Sequence, residues 1–175
     1  PVEAREELEA SYTYDPVNGT TAAATHLAFV EVDPKTCVVK ILKYVVAEDC
    51  GRIINPMIVD GQVHGGVAQG IGAALYEELV YDGEGQLLTA SLVDYVVPSA
   101  VEIPDMAVVH VESESAVAGG FRGMGEGGTI GAPAAIANAI ADALAPFDID
   151  ISTLPATPER LFRLVQKSQN PSKGN

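Results

Sequence analysis

The sequence predicts an α+β fold, in which β-hairpins and a mixed sheet pack against glycine-rich helices. Three observations lead to this prediction. β-Branched segments flank a turn near the N-terminal end, an apolar repeat of four residues runs through the middle, and an alanine-rich segment follows a glycine-rich loop. With 175 residues, 47% of them hydrophobic, the chain is long enough for one domain or for part of a larger one.

Four segments have the alternation or the β-branched content of strands: residues 9–15, 26–33, 37–47 and 106–112. Between the second and third, Asp33-Pro34-Lys35-Thr36 predicts a turn, because proline sets φ and the aspartate can bond the following backbone. These two strands should therefore form a hairpin. Residues 81–86 contain an Asp-Gly pair that predicts another tight turn, and residues 87–97 follow as extended or mixed chain.

A long helix is predicted to start at Asn55 and Pro56. Its apolar residues recur every fourth position and form one stripe: Val59, Val63, Val67, Ile71, Leu75 and Leu79. Five glycines lie in the same helix: Gly61, Gly65, Gly66, Gly70 and Gly72. Each costs about 1 kcal/mol relative to alanine. Close packing of another backbone or a ligand lying against the helix would explain them, and the segment alone leaves both open.

Polar residues interrupt this helix, which argues against a membrane-spanning helix that packs through its small residues. His64 has no second histidine at metal-ligand spacing, so we expect a structural histidine. Gln69 lies between Ala68 and Gly70, where little bulk screens its amide from a ligand.

Two further helices are predicted near the C-terminal end. Thr129 can cap a helix that has Pro133 in its first turn and runs to about Leu144. A last short helix is expected over residues 152–166. We therefore assign residues 1–166 to the domain and residues 167–175 to a flexible tail.

The glycine-rich loop before the alanine-rich helix contains one carboxylate, Glu126. Glycines let a ligand approach the main chain closely, and a helix start presents free N–H groups to it. Glu126 is then placed to act as a general base on that ligand. The alternative is that the glycines only allow the chain to pack tightly and that Glu126 only interacts favourably with the dipole of the following helix. The loop is not a Walker-type phosphate loop, because no Gly-Lys-Ser/Thr follows the glycines.

The composition excludes some partners. A net charge of −14 argues against nucleic acid and anionic membrane surfaces, and no apolar run reaches the length of a membrane span. Cys37 and Cys50 lack the spacing of a zinc or iron–sulfur site, so we expect buried free thiols and a cytoplasmic protein. Because the chain begins at Pro1, we expect a processed product, a subunit fragment or a trimmed chain.

These segments, in this order, resemble the molybdenum hydroxylase family, which includes xanthine dehydrogenase, aldehyde oxidase and the large chains of carbon monoxide dehydrogenase type. The matching segments are residues 49–56 (Asp-Cys-Gly-Arg-Ile-Ile-Asn-Pro), 61–72, 123–126 (Gly-Met-Gly-Glu) and 131–139. The similarity covers nearly the whole chain. It corresponds to the C-terminal part of the molybdenum-binding large subunit, so the remainder of that subunit is an expected partner and the piece alone should be inactive.

The resemblance implies a molybdenum-dependent enzyme that oxidises an aldehyde or N-heterocyclic substrate with water-derived oxygen, in which Glu126 is the general base at the molybdenum. It implies a molybdopterin cofactor in the cytosine dinucleotide form, with [2Fe-2S] clusters and FAD on partner chains or domains. It also implies that no side chain of the chain ligates the metal. The residues that match cofactor contacts of the family are Gly61, Gln62, Gln69, Arg122, Gly123, Met124 and Gly125.

Two other functions stay open at this point. The chain could be a non-catalytic cofactor-binding or assembly module of the same fold, although such a module has little need for a carboxylate at Glu126. It could also be a structural α+β domain whose glycines serve packing alone, which predicts that no molybdenum is bound.

Overall fold

The computed structural model of the protein describes residues 10–15 and 21–170. In this part of the chain there are three strands, three α-helices and one short 3-10 helix. In chain order they are β1 (Ala23–Val32), β2 (Val39–Asp49), α1 (Pro56–Leu75), β3 (Met106–His110), α2 (Ala132–Ala143), the 3-10 helix (Ala145–Phe147) and α3 (Pro158–Gln169). The predicted α+β class, with a mixed sheet and glycine-rich helices, is confirmed.

β1 and β2 form the predicted antiparallel hairpin, and β3 pairs with β2 in parallel, so the strand order in this sheet is β1-β2-β3. In the hairpin turn, the Lys35 N–H and the Thr36 hydroxyl donate hydrogen bonds of 2.8 and 2.9 Å to the Asp33 carboxylate. These bonds lower the pKa of Asp33. β1 begins at Ala23 rather than at residue 26, and β2 ends at Asp49 rather than at residue 47.

The predicted strand over residues 9–15 is wrong where the structure describes it. Residues 10–15 are exposed and irregular, and residue 9 lies outside the described residues. Alternation alone does not make a strand, because a strand needs a neighbour to take its backbone hydrogen bonds. The turn at residues 81–86 is confirmed, since a single antiparallel bridge between Tyr81 and Leu87 closes it.

α1 begins where the sequence predicts, since the Asn55 side chain accepts a hydrogen bond from the Ile58 N–H at 3.4 Å. The apolar stripe faces the core, and its buried members are Val59, Val63, Val67, Ile71 and Leu75. Leu79 is the exception: the helix ends at Leu75, and Leu79 is 59% exposed. The chain leaves the helix there because the Glu77 N–H bonds back to the Gly72 carbonyl.

The starts of the other two helices differ from the prediction. Gly131 rather than Thr129 precedes α2, and no side chain caps the helix; Thr129 instead lies in the preceding turn, where its N–H bonds the Glu126 carbonyl. α3 starts only at Pro158, where the Thr157 side chain accepts a hydrogen bond from the Arg160 N–H, so residues 152–157 are not helical. α3 continues to Gln169, which makes residues 167–169 of the predicted tail helical. Residues 171–175 lie outside the described residues.

The core lies between the sheet and the helices, and α2 packs against both β1 and α1. Its largest fully buried side chains come from every layer: Tyr44, Val46, Val63, Val67, Ile71, Ile136, Ile140, Leu144 and Leu161. Cys37 and Cys50 are buried and free, as predicted, and burial raises the pKa of the Cys50 thiol to about 11. Among the described residues, no helix has both the length and the apolar character needed to cross a bilayer.

Candidate functional site

A cleft of about 430 Å³ opens between the start of β1 and the loop of residues 119–131, which we call the glycine loop. Glu126 is exposed and lies in the wall of this cleft. Its backbone carbonyl accepts the N–H groups of Thr129 and Ile130 at 3.0 and 3.1 Å, so the loop turns sharply after it. The other lining residues are Thr21, Ala22, Ala23, Ala24, His26, Gly123, Gly125, Gly127, Ile130 and Gly131.

α1 holds the glycine loop by direct backbone contact. A Cβ on Gly128 would lie 2.5 Å from the Val63 carbonyl oxygen, and one on Gly66 would lie 2.9 Å from the Gly128 backbone. Both distances are shorter than a van der Waals contact, so glycine is required at both positions. The Gln62 side chain adds a hydrogen bond of 2.9 Å from Nε2 to the Gly125 carbonyl. Gln62 is therefore brought to the loop next to Glu126.

The five glycines of α1 divide into two groups, and Gly72 belongs to the closely packed group because a Cβ there would meet the Glu77 and Pro98 side chains. Gly66 and Gly70 pack closely, since a Cβ on Gly70 would lie 2.4 Å from the Cβ of Ala132. Gly61 and Gly65 face open space, because a Cβ at either position would meet nothing within 4 Å. Packing therefore explains the first group and leaves the second group without a structural reason among the described residues.

The two open glycines share one side of α1 with two exposed amides. Gln62 and Gln69 are both exposed and are seven residues apart, which is about two helical turns, and Gly65 lies between them on the same side. We call Gly61, Gln62, Gly65 and Gln69 the exposed strip of α1. Its end at Gln62 contacts the glycine loop.

His26 on β1 joins the core to the glycine loop. Its Nε2 lies 2.9 Å from the Gly127 carbonyl oxygen, and its Nδ1 lies 2.9 Å from the Tyr44 hydroxyl. A carbonyl can only accept, so Nε2 carries the proton and donates, and Nδ1 accepts from the hydroxyl. The ring also packs against the loop, since a Cβ on Gly131 would lie 2.4 Å from its Cδ2.

The motif at residues 49–56 pairs with the first half of the glycine loop. Gly51, with φ +63°, forms an antiparallel bridge with Phe121. The Arg122 N–H donates to the Cys50 carbonyl at 2.8 Å, and the Arg52 N–H donates to the Gly120 carbonyl at 2.9 Å. Two segments that are far apart in sequence are thus neighbours in space.

The guanidinium group of Arg122 is occupied largely by protein atoms. Nη2 donates to the Ser113 hydroxyl at 2.9 Å and to the Glu114 carbonyl at 2.7 Å, and Nη1 donates to the Thr21 carbonyl at 3.2 Å. Nε is buried and has no hydrogen-bond partner among the described residues. Arg122 therefore ties three segments together, and its unused donors are the second Nη1 hydrogen and the buried Nε–H.

A buried carboxylate lies behind the loop. Glu48 is 1% exposed; its Oε1 lies 2.9 Å from Nδ1 of His110, whose Nε2 lies 2.7 Å from the Asp60 carboxylate. Burial alone would lower the pKa of His110, but the hydrogen bonds to Asp60 and Glu48 outweigh it and raise the pKa. The second Glu48 oxygen has no partner among the described residues and lies 3.5 Å from where a Cβ on Gly127 would be.

The structure brings most of the predicted site residues to one region. Gly123, Gly125 and Glu126 line the cleft, and Gln62 contacts the loop. Met124 is half-buried and packs against the core.

Sequence reasoning missed three polar residues of this region: His26, Glu48 and His110. His26 and Glu48 occupy core-facing positions in phase with Ala28 and Val46, and His110 is exposed but in phase with the half-buried Met106 and Val108. A polar residue in an apolar alternation is the pattern that could have found them.

The comparisons with known proteins agree with the resemblance. The profile of the molybdopterin cofactor-binding domain family matches residues 2–104, a range that ends before the glycine loop. The nicotine 6-hydroxylase large subunit of Paenarthrobacter nicotinovorans is 46% identical over 160 residues, which are 91% of this chain and 20% of that protein. The carbon monoxide dehydrogenase large chain of Hydrogenophaga pseudoflava is 33% identical, with the same shares covered.

Among solved structures, quinoline 2-oxidoreductase from Pseudomonas putida 86 matches with a TM-score of 0.86 and 47% identity, over 89% of this chain and 20% of that chain. The chain thus spans about a fifth of the length of the curated relatives that it matches. The family profile covers more than half of the chain, and the relatives are named as large subunits of hydroxylases and dehydrogenases. The chain therefore belongs to the molybdopterin cofactor-binding domain family, as its resemblance to the molybdenum hydroxylases predicts.

Proposed function

We propose that this chain forms part of the molybdopterin site of an oxidoreductase, in which Glu126 is the general base. The observation that carries the proposal is the position of Glu126: an exposed carboxylate on a cleft, in a loop held against α1 by Gly66 and Gly128. A general base needs such access to the proton it removes.

The residues present fit a bulky polar cofactor. Gly61, Gly65 and Gly125 leave open space where a side chain would stand. The Gln62 and Gln69 amides can donate and accept at once, as the mixed polar edge of a pterin requires. We assign cofactor contacts to Gly61, Gln62, Gln69, Arg122, Gly123, Met124 and Gly125. When bound, such a cofactor supplies the two-electron redox chemistry that these side chains lack.

The proposed reaction replaces a C–H bond of the substrate by C–OH. Substrate and water give hydroxylated product, two protons and two electrons, and the electrons pass to an acceptor outside this chain. The Glu126 carboxylate takes one proton from the water-derived oxygen, which makes that oxygen nucleophilic toward an electron-poor carbon. Positioned general bases typically contribute about 10²–10⁴-fold to such steps.

N-Heterocycles are the substrate class that the relatives favour. The nicotine and quinoline enzymes are 46% and 47% identical to this chain, whereas the carbon monoxide dehydrogenase large chain is 33% identical. We also propose partners: the remainder of a large subunit, because the chain spans about a fifth of its relatives, and, from the family resemblance, chains or domains carrying [2Fe-2S] clusters and FAD. The cytosine dinucleotide form of the cofactor and a cytoplasmic location are parts of the same proposal.

The alternative, a non-catalytic cofactor-binding or assembly module, makes a different prediction for the native complex. The test is to purify the complex through this chain from molybdenum-replete cells and to measure molybdenum, released nucleotide, iron and flavin. Stoichiometric molybdenum with turnover of N-heterocycles supports the enzyme. Molybdenum without turnover of any N-heterocycle or aldehyde supports the module. The absence of molybdenum contradicts the enzyme and leaves an assembly module or the structural domain.

A further inference from the structure

His26 is the one side chain that both lines the cleft and bonds the backbone of the loop that carries Glu126, among the described residues. Its bond goes to the carbonyl of Gly127, the residue next to Glu126. We propose that His26 is a positioning residue for Glu126, and that Tyr44 sets the tautomer in which it acts. This inference rests on the proposed function of Glu126.

The hydrogen-bond directions leave His26 no free nitrogen. Nε2–H is committed to the Gly127 carbonyl, and Nδ1 is committed to the Tyr44 hydroxyl, both at 2.9 Å. Neither nitrogen can reach a substrate without giving up one of these two hydrogen bonds. Its contribution is therefore to fix the loop rather than to act as acid or base.

The anchor behind His26 is rigid. Tyr44 is fully buried in β2, and burial raises the pKa of its hydroxyl well above the usual range, so the hydroxyl keeps the proton that it donates to Nδ1. The rings of His26 and Tyr44 meet edge to face, with centroids 5.8 Å apart. The chain of contacts thus runs from the sheet core through His26 to the backbone next to Glu126.

The loop needs this support because Glu126 itself is exposed and its backbone is held locally only by the turn to Thr129 and Ile130, among the described residues. α1 supports the loop from the Gln62 and Val63 side, and His26 supports it from the β1 side. A misplacement of about 1 Å in a catalytic group can cost about 10²-fold in rate, so such a tether has a measurable consequence.

Two substitutions at His26 distinguish the effect of its hydrogen bond to the Gly127 carbonyl from the effect of its packing. In His26→Gln the side-chain amide extends to the position of Nε2 and keeps a donor for the Gly127 carbonyl. In His26→Asn the amide extends only to the position of Nδ1, so that donor is lost while the contact with Tyr44 stays possible. Glu31→Gln, at an exposed position of the same strand, is the matched control.

The test uses the complete enzyme complex and measures kcat per bound molybdenum, KM, and hydrogen exchange of the Thr129 and Ile130 amides. We expect His26→Asn to lower kcat about 10- to 100-fold with little change in KM, and to speed up exchange of both amides. We expect Glu31→Gln to behave as wild type. We expect His26→Gln, which keeps the donor to the Gly127 carbonyl but loses the acceptor for the Tyr44 hydroxyl, to show no larger loss of kcat than Tyr44→Phe. Tyr44→Phe, which removes the donor to Nδ1, provides a second variant with a smaller loss of kcat in the same direction.

Wild-type exchange and wild-type kcat per molybdenum in His26→Asn would overturn the inference. A purely structural role would reduce molybdenum content or thermal stability and leave kcat per molybdenum unchanged, which also overturns it. Failure of the proposed function is distinguishable, since Glu126→Gln would then keep full turnover, while the exchange measurement still tests the tether by itself.

Discussion

The packing of α1 against α2 at Gly70 gives the sharpest prediction about the fold. A Cβ added at Gly70 would lie 2.4 Å from the Cβ of Ala132, and two carbon atoms need about 3.5–4.0 Å. Both atoms are attached to helix backbones and cannot rotate away. In Gly70→Ala the two helices must therefore move apart by about 1 Å, and such overpacking costs about 1–3 kcal/mol.

Gly65→Ala is the matched control, because a Cβ at Gly65 meets nothing within 4 Å. Alanine in place of glycine favours a helix by about 1 kcal/mol, and this gain is common to both variants. The difference in local stability between them is then about 1–3 kcal/mol, which corresponds to about 5- to 150-fold in the hydrogen-exchange rates of α1 amides. The assay is hydrogen exchange of α1 in the large subunit without cofactor.

A second substitution tests whether the contact between the side chains at positions 70 and 132 causes the loss of stability. Ala132→Gly removes the atom that Gly70→Ala would meet. The double variant should therefore regain most of the α1 exchange protection that Gly70→Ala loses, apart from the cost of placing a new glycine in α2. Equal protection in Gly70→Ala and Gly65→Ala would refute the argument. So would a double variant that is no better protected than Gly70→Ala alone.

In the complete enzyme, Gly65→Ala should reduce the molybdenum and pterin content per subunit, because the added methyl group occupies the exposed strip. The same substitution should stabilise α1 by about 1 kcal/mol in the subunit without cofactor. Unchanged molybdenum and pterin content would argue against a cofactor on the exposed strip. Because the folded-state pKa of His110 is raised from 6.5, its contribution to stability is fully present below pH 6.5 and is lost as pH rises through the folded value. Thermal unfolding should show this loss in the wild type but not in His110→Gln, and parallel pH profiles would contradict it. Arg122→Lys keeps the charge but cannot reach the acceptors that Nη1 and Nη2 bond, so loop protection should fall by about 1.5–3 kcal/mol, and limited proteolysis near residues 113–122 should be faster; wild-type cleavage would show that the bonds are dispensable.

The local elements could be predicted from the sequence because their causes are local. The turn at Asp33, the Asn55 cap and the apolar stripe from Val59 to Leu75 each depend on neighbouring residues only. The predictions were wrong where contacts with residues distant in sequence determine whether a strand forms or where a helix ends. Leu79 continues the repeat, but α1 has ended before it, and residues 10–15 alternate without a strand to pair with in the described part of the chain.

The candidate site could be predicted in its residue types and not in its geometry. The glycine loop and the long helix identified Glu126 and Gln69, because glycines and lone polar residues are unusual in such segments, and the family resemblance added Gln62. The division of the α1 glycines into packed and open positions depends on Gly128 and Ala132, which only the folded chain brings near. Likewise, nothing in the sequence indicates that His26 bonds the carbonyl of Gly127, one hundred and one residues away.

The measurement that tests the central proposal most directly is kcat per bound molybdenum of the complete enzyme with Glu126→Gln. Glutamine keeps the size of the side chain and removes its basicity, and Glu126 is exposed on the cleft, so the fold and the cofactor content should be unchanged. We predict a fall in kcat of about 10²–10⁴-fold at wild-type molybdenum content. Turnover within a few-fold of wild type, at equal molybdenum content, would show that Glu126 is not the general base.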